Sequence, residues 1–573
     1  MMSDRRKNLL SYLIIILLVS IFGLASCSKA RKKEEAEKMS ELQKLPDIKI
    51  RLAKYSPTEI GCDETLLNEE EKKVLEKLVL ASMFMDNIFW KQASTQGLAI
   101  KEKLEKSTVP EDKDYLHFLK INFGPFDRQD ENRPFLGTSL KPLGAGFYPA
   151  DLTKEEFTNF ISQHPETKEE FESPYTVIKR KNGQLVAIPY NQEYREDLEP
   201  AARYLREAAE LSSNPSLKKY LLQRASDLLS NNYYQSDCLW IDVKDSLVEI
   251  VIGPFEVYED SLNGLKASYE SFVYINDFEE MKKIKGYLLY LDEMQENLPV
   301  ESKYKGQKVR GLESPLNVVF EVFTAGDTKA GIQTSAFVLP NDEKVREEKG
   351  TKKVFLKNMM EAKFNKSLIP ISRRVLLAED VAFVTFEAYF NEVILHEICH
   401  ALGTDYITLA DGSRTTVNKA LRDLHSPLEE AKADVLGLYS VPLLVEKGWI
   451  PAEKEKEVYT TYLAGMFRSL RFGAREAHGL ATLLQFNFLR EKNAFLYEPQ
   501  SEKFKVNFPT IKEAVKELAQ VLLTLQGKGS YEEAAQFIIR YGQLDELTQK
   551  TIEKLGDIPV DIEPLFRQLG SDF

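Results

Sequence analysis

Histidine and cysteine are both scarce in this chain, at 6 and 4 among 573 residues. The cysteines, Cys27, Cys62, Cys238 and Cys399, lie far apart. They show none of the spacings of a disulfide framework, so apolar burial must hold the fold. A basic run is missing beyond the N-terminal region, and the net charge is −13. Nucleic acid, which binds lysine- and arginine-rich faces, is therefore not expected as a partner. No internal repeat recurs, and no low-complexity segment occurs beyond one charged stretch near the N-terminus.

That N-terminal region reads as an export signal over residues 1–26. Arg5, Arg6 and Lys7 form a positive head, and Leu9 to Phe22 is a mostly apolar core, short for a spanning helix. Leu24-Ala25-Ser26-Cys27 resembles the bacterial lipoprotein processing box, in which cleavage before the cysteine leaves it to carry lipid. Cys27 is thus the expected lipidation site, with an uncleaved membrane anchor as the alternative. Residues 27–44 are dominated by Lys, Arg and Glu and read as a solvated tether. The expectation is an exported protein of the bacterial cell envelope, held to a lipid bilayer.

The rest is longer than one simple core usually fills, so two lobes are expected. Residues 45–364 mix helices and strands, part of them packing with the second lobe, and 365–573 read as mainly helical. Apolar spacing is helical from Glu64 to about Lys106, and Phe123 to Tyr148 reads as ordered loop. Asp151-Leu152-Thr153-Lys154-Glu155-Glu156 has the form of a helix start, with acidic residues in the first turn. Tyr175–Ile178 and Leu185–Ile188 flank Asn182-Gly183, a strong hairpin signal. Two helices are expected over Pro200–Leu211 and Ser216–Leu229, then a strand over Leu247–Ile252 ending at Gly253-Pro254.

Against its scarcity of histidine, the chain carries His396-Glu397-Ile398-Cys399-His400. Apolar or aromatic residues recur before it at Ala382, Phe386, Tyr389 and Val393, in helical spacing, and the stripe continues through both histidines. Two imidazoles one turn apart can bind one zinc ion, and Glu397 can serve as general base toward its water. Gly403 suits the helix end. A third ligand is needed. The best candidate lies in Ser426-Pro427-Leu428-Glu429-Glu430-Ala431-Lys432-Ala433-Asp434, where Ser426 suits an N-cap and Pro427 the first helical position. Glu429 then either caps the helix or supports a ligand. Glu430 and Asp434, one turn apart, suit a ligand carboxylate and a carboxylate that holds an imidazole N–H. His425 and Glu392 are rivals for the third position.

H-E-x-x-H followed by a helix reading E-E-A-K-A-D-V-L-G-L-Y resembles the dipeptidyl peptidase III family of zinc metallopeptidases. The likeness is to the branch also found fused to Nudix domains in plants, because better-known members carry one more residue between the histidines. The resemblance implies Glu430 as third zinc ligand. In Val251 to Asp260 it implies that Glu256 holds the peptide's free amine and that Tyr258 supports the tetrahedral oxyanion. Ala336 to Glu343 resembles a segment whose asparagines bind the substrate backbone. Asn341 is present there, but Val338 replaces the other asparagine. His478, in Arg475-Glu476-Ala477-His478-Gly479, matches a histidine that assists the transition state. The implied fold is α+β, with two lobes around a wide cleft: a mixed lobe containing a small β-barrel, and a mainly helical zinc-bearing lobe. The implied activity is zinc-dependent release of dipeptides from short peptides. Two other readings stand beside it, a tethered binding or structural lipoprotein with a non-catalytic zinc site and a zinc hydrolase of a non-peptide substrate. An intact Glu397 argues against the first, since a purely structural site needs no base.

Overall fold

The computed structural model describes residues 43–306, 315–409, 412–471, 473 and 477–567. The expected signal segment and Cys27 lie outside the described residues, as do Arg475 and Glu476. Among the described residues no helix is long and apolar enough to cross a membrane.

The chain's first described strand, β1 (Tyr55–Ile60), leads into the long helix α1 (Glu69–Ala93). Asn68 starts α1 with a capping box: its side chain accepts from the N–H of Glu71, whose carboxylate accepts from the N–H of Asn68. The helical stretch expected to run on to Lys106 is broken after Ala93. There Ser94 Oγ accepts from the N–H groups of Gln96 (3.3 Å) and Gly97 (3.1 Å) and begins a new turn. The hairpin of β2 (Thr176–Lys181) and β3 (Gln184–Pro189) turns at Asn182 and Gly183, with φ of 54° and 82°. Both residues tolerate that left-handed region. Helix α2 (Arg195–Leu211) begins before the expected Pro200, which sits inside it, and α3 (Pro215–Ser230) follows, capped by Asn214.

Five strands then build the central sheet: β4 (Val248–Glu256), β5 (Ser268–Asn276), β6 (Leu316–Gly326), β7 (Ala336–Leu339) and β8 (Lys352–Leu356). Their order is β4-β5-β6-β8-β7, antiparallel except for the parallel pair β6/β8. β5 is buried along its whole length, with α1 packed on the sheet and Ser82 hydrogen bonded to Ser271. Among the described residues the small barrel implied by the family resemblance is not formed: the sheet is open, and its edges β4 and β7 do not pair. β7 has only 4 residues, and β4 bulges between Pro254 and Glu256, where proline has no N–H to donate.

From there the chain is mainly helical: α4 (Phe386–Cys399), α5 (His425–Glu446), α6 (Glu455–Leu470), α7 (Ala477–Glu491) and α8 (Phe508–Lys528). α4 packs on α5 and α6, and α5 on α7 and α8, around an apolar core that includes Ile394, Ile398, Leu428, Val435, Leu463 and Leu484. A second large core lies under the sheet and α1–α3. These are the two lobes. Short hairpins (Tyr406–Thr408 with Arg414–Thr416, Phe495–Glu498 with Lys503–Val506) interrupt the helices. The last strand, β9 (Asp561–Phe566), returns to pair in parallel with β1. A parallel pair between chain ends leaves no local turn signal, and so was not expected.

Candidate metal centre and substrate site

Thr385 starts α4 by accepting from the N–H of Ala388, and the helix carries His396, Glu397 and His400 toward α5. The α-helix proper ends at Cys399. His400 still donates its N–H to the carbonyl of His396 (3.2 Å), and Gly403, at φ 97°, turns the chain away. The two rings stand with centroids 4.6 Å apart and their Nε2 atoms separated by 3.0 Å. Each ring's other nitrogen is held by a carboxylate. His396 Nδ1 donates to Asp434 Oδ1 at 2.6 Å, and His400 Nδ1 to Glu429 Oε1 at 2.8 Å. With Nδ1 donating, both Nε2 lone pairs point at one spot.

Glu430 closes that spot. Its Oε2 lies 3.2 Å from His396 Nε2 and 3.7 Å from His400 Nε2. The oxygen is buried and receives no hydrogen bond among the described residues. Two imidazole lone pairs and an orphaned carboxylate oxygen would repel one another unless a cation sat among them. The donor set of two imidazoles and one carboxylate, with a position left open, is that of a catalytic zinc site. Proton affinity points the same way. Burial disfavours charge on His396, but Asp434 and Glu430 outweigh it and push its pKa up to about 10.

Helix α5 differs from its expected start, and the difference assigns Glu429. A 3₁₀ turn over Arg422–Leu424 runs straight into the helix at His425, so Ser426 and Pro427 lie inside the first turn and no side chain caps it. Glu429 is thereby free of capping. Besides His400 it accepts from Lys432 Nζ (2.8 Å) and Gln526 Nε2 (2.9 Å). Burial raises its pKa, yet the Lys432 charge and the His400 N–H hold it well below the usual carboxylate range. Asp434 is fixed in turn by Gln485 Nε2 at 2.8 Å. Neither Lys432, Gln485 nor Gln526 was singled out from sequence; only the two supporting glutamines' packing on neighbouring helices brings them in. Of the rival ligands, His425 makes no hydrogen bond or ion pair with the two imidazoles among the described residues. Glu392 sits half-buried one turn before His396, its pKa pushed up by burial and by the Asp434 charge, with Oε2 unpartnered among the described residues.

Glu397 presents its Oε2 to Lys353 of β8 in an ion pair. His478, at the start of α7, is largely exposed and brings Nδ1 to 3.3 Å from Glu430 Oε2. The remaining residues form a second group on the mixed lobe. Asn341, just beyond β7, donates to the carbonyl of Phe255 (3.0 Å) and to Glu256 Oε1 (3.2 Å), joining the two open edges of the sheet through a side chain. Tyr258 is 79% exposed, and the Glu256 charge beside it raises its phenol pKa. Among the described residues Tyr258 makes no hydrogen bond or ring contact with His396, His400 or His478. The turn that carries these residues is rigidly held. Glu259 is buried between Arg128 and Lys141. Asp260 accepts from the N–H groups of Leu262, Asn263, Leu265 and Lys266 and from the hydroxyl of Tyr148. Glu256 therefore does not belong to a loose acidic turn.

A family model described as peptidase family M49 matches residues 151–413. Nudix hydrolase 3 of Arabidopsis thaliana is 36% identical, over 91% of this chain and 74% of that protein. The solved structure of DPP III from Caldithrix abyssi is 49% identical with a TM-score of 0.87, covering 91% of this chain and 100% of that one. DPP III from Corallococcus sp. strain EGB is 38% identical with a TM-score of 0.72, covering 92% and 98%.

Proposed function

The chain belongs to peptidase family M49 and is a metallopeptidase of the dipeptidyl peptidase III kind, and from that premise we propose a zinc-dependent exopeptidase that releases dipeptides from the free N-terminus of short peptides. The observation that carries the reading is the convergence of His396 Nε2, His400 Nε2 and the orphaned Glu430 Oε2 beside Glu397. His396, His400 and Glu430 would hold a zinc ion, which when bound would supply Lewis-acid polarisation of the scissile carbonyl and lower the pKa of its water toward ~7.

The chain's own groups do the rest. Glu397 accepts the proton of the attacking water and returns it to the leaving amine. Glu429 and Asp434 keep both imidazoles in the tautomer that offers Nε2. Tyr258 and His478 donate to the developing oxyanion, where one donor is typically worth about 10²–10³ in rate. Tyr258 belongs to one group of residues and His478 to the other, so the peptide must bridge them. Glu256 holds the ammonium of the first residue and Asn341 a backbone group. β7 is an edge strand among the described strands, so an extended peptide can pair along it. The N-terminal features support export and a lipid tether on Cys27 in a bacterial cell envelope.

The test is one heptapeptide offered with a free and with an acetylated N-terminus, products read by mass spectrometry. Dipeptide release from the free form alone is expected. Equal cleavage of both forms would mean the amine is not read, and the aminopeptidase reading would fail.

A further inference from the structure

We propose, resting on the reading of Glu397 as the base, that Lys353 is its positioning residue, and that β8, which pairs with the edge strand along which the peptide would dock, anchors the base. Lys353 Nζ meets Glu397 Oε2, with the two side chains only 24% and 18% exposed. A carboxylate whose two oxygens are equally free can rotate about its last bond. Held at Oε2 by a charge-assisted hydrogen bond, it presents Oε1 in one direction, and Oε1 makes no other hydrogen bond among the described residues.

The mount for this contact is stiff. Lys353 pairs with Leu316 of β6 on one side and Val338 of β7 on the other, and its N–H donates to the carbonyl of Pro315 at 3.0 Å. Strand alternation turns Lys352 to the opposite face, where its ammonium lies 3.6 Å from Glu249 and over the Trp240 ring. Lys353 is thus left facing α4. Residues directly opposite in an antiparallel pair share a face, so the side chains of Lys353 and Val338 stand side by side. Val338 is the position at which the family resemblance implies a backbone-binding asparagine. A shift of β7 on peptide docking would therefore be felt at the base through one strand pairing, with no loop between.

Kinetics of Lys353→Met, Lys353→Arg and Glu397→Gln test the proposal, with bound zinc and a thermal melt recorded for each. Lys353→Met should lower kcat about ten- to a hundredfold, as expected for a misaligned catalytic group, with KM within about twofold and zinc content unchanged. Lys353→Arg, which restores a cation at Glu397, should recover most of the loss. Should Lys353→Met not fold, Lys353→Gln takes its place under the same expectations. Wild-type kcat in the uncharged variant, or a loss that Lys353→Arg does not recover, overturns the positioning role. Near-wild-type turnover in Glu397→Gln would instead overturn the reading of Glu397 as the base, a separate failure.

Discussion

Neighbouring carboxylates on α5 make a sharp contrast. Glu430 offers its oxygen to both Nε2 atoms, whereas Glu429 reaches only the far nitrogen of His400. Glu430→Ala removes one of the three proposed ligands and should leave little zinc bound after dialysis. Glu429→Ala removes a support, which usually weakens a site 10–100-fold, about 1.4–2.8 kcal/mol, without emptying it. The second variant should also cost stability. Lys432 is buried and loses its only carboxylate partner among the described residues, but it keeps the carbonyls of Leu402 at 2.7 Å and His400 at 3.2 Å. The penalty should then be nearer the ~1–3 kcal/mol of an unsatisfied polar group than the ~3–5 kcal/mol of an isolated buried charge. Glu429→Gln keeps an acceptor for His400 and should fall between Glu429→Ala and wild type on both measures. Metal analysis of the purified variants, zinc titration against a competing chelator and thermal melts give the three readings. Zinc lost from Glu429→Ala and kept by Glu430→Ala would reverse the assignment, and equal loss from both would abolish the distinction.

At Val338, a single added backbone hydrogen bond is worth about 0.5–1.5 kcal/mol, so Val338→Asn should lower KM for the heptapeptide about two- to tenfold and raise the dipeptide fraction of products. An unchanged product ratio would show that position 338 does not set the register. Cys27→Ser should abolish incorporation of a labelled fatty acid into the protein in a bacterial host, and a wild-type protein that takes up no label would dispose of the lipid tether. Glu321 is buried with neither carboxylate oxygen hydrogen bonded among the described residues, and burial pushes its pKa up to about 8 despite the Lys363 charge. Between its ordinary pKa near 4.5 and 8 the folded state holds a proton that the unfolded state has released. This contribution to stability is intact below that window and is lost as pH rises through it. Glu321→Gln should therefore raise Tm more at pH 8.5 than at pH 5, and an equal effect at both would refute the buried-proton argument.

Local periodicity and residue chemistry were enough to place His396, Glu397 and His400 together, because an i, i+4 spacing on a helix is a fixed distance whatever surrounds it. The Asn182-Gly183 hairpin and a helix start within residues 151–156, where the helix Lys154–Gln163 begins, were legible for the same reason: each depends on residues within a few positions. Glu430 and Asp434 could be proposed as a pair from spacing, but separating Glu429 from a capping role required the 3₁₀ turn at Arg422–Leu424, which moves the helix start ahead of Ser426. The open sheet in place of a barrel, the return of β9 to β1, and the reach of Gln485 and Gln526 to the supporting carboxylates were decided only in three dimensions. So was the meeting of Lys353 with Glu397, 44 positions apart in the chain. A lysine in a strand has no signature of its partner. Which charge it meets depends on how the sheet's face is laid against α4, and that is set by the packing of whole elements rather than by any pattern within one of them.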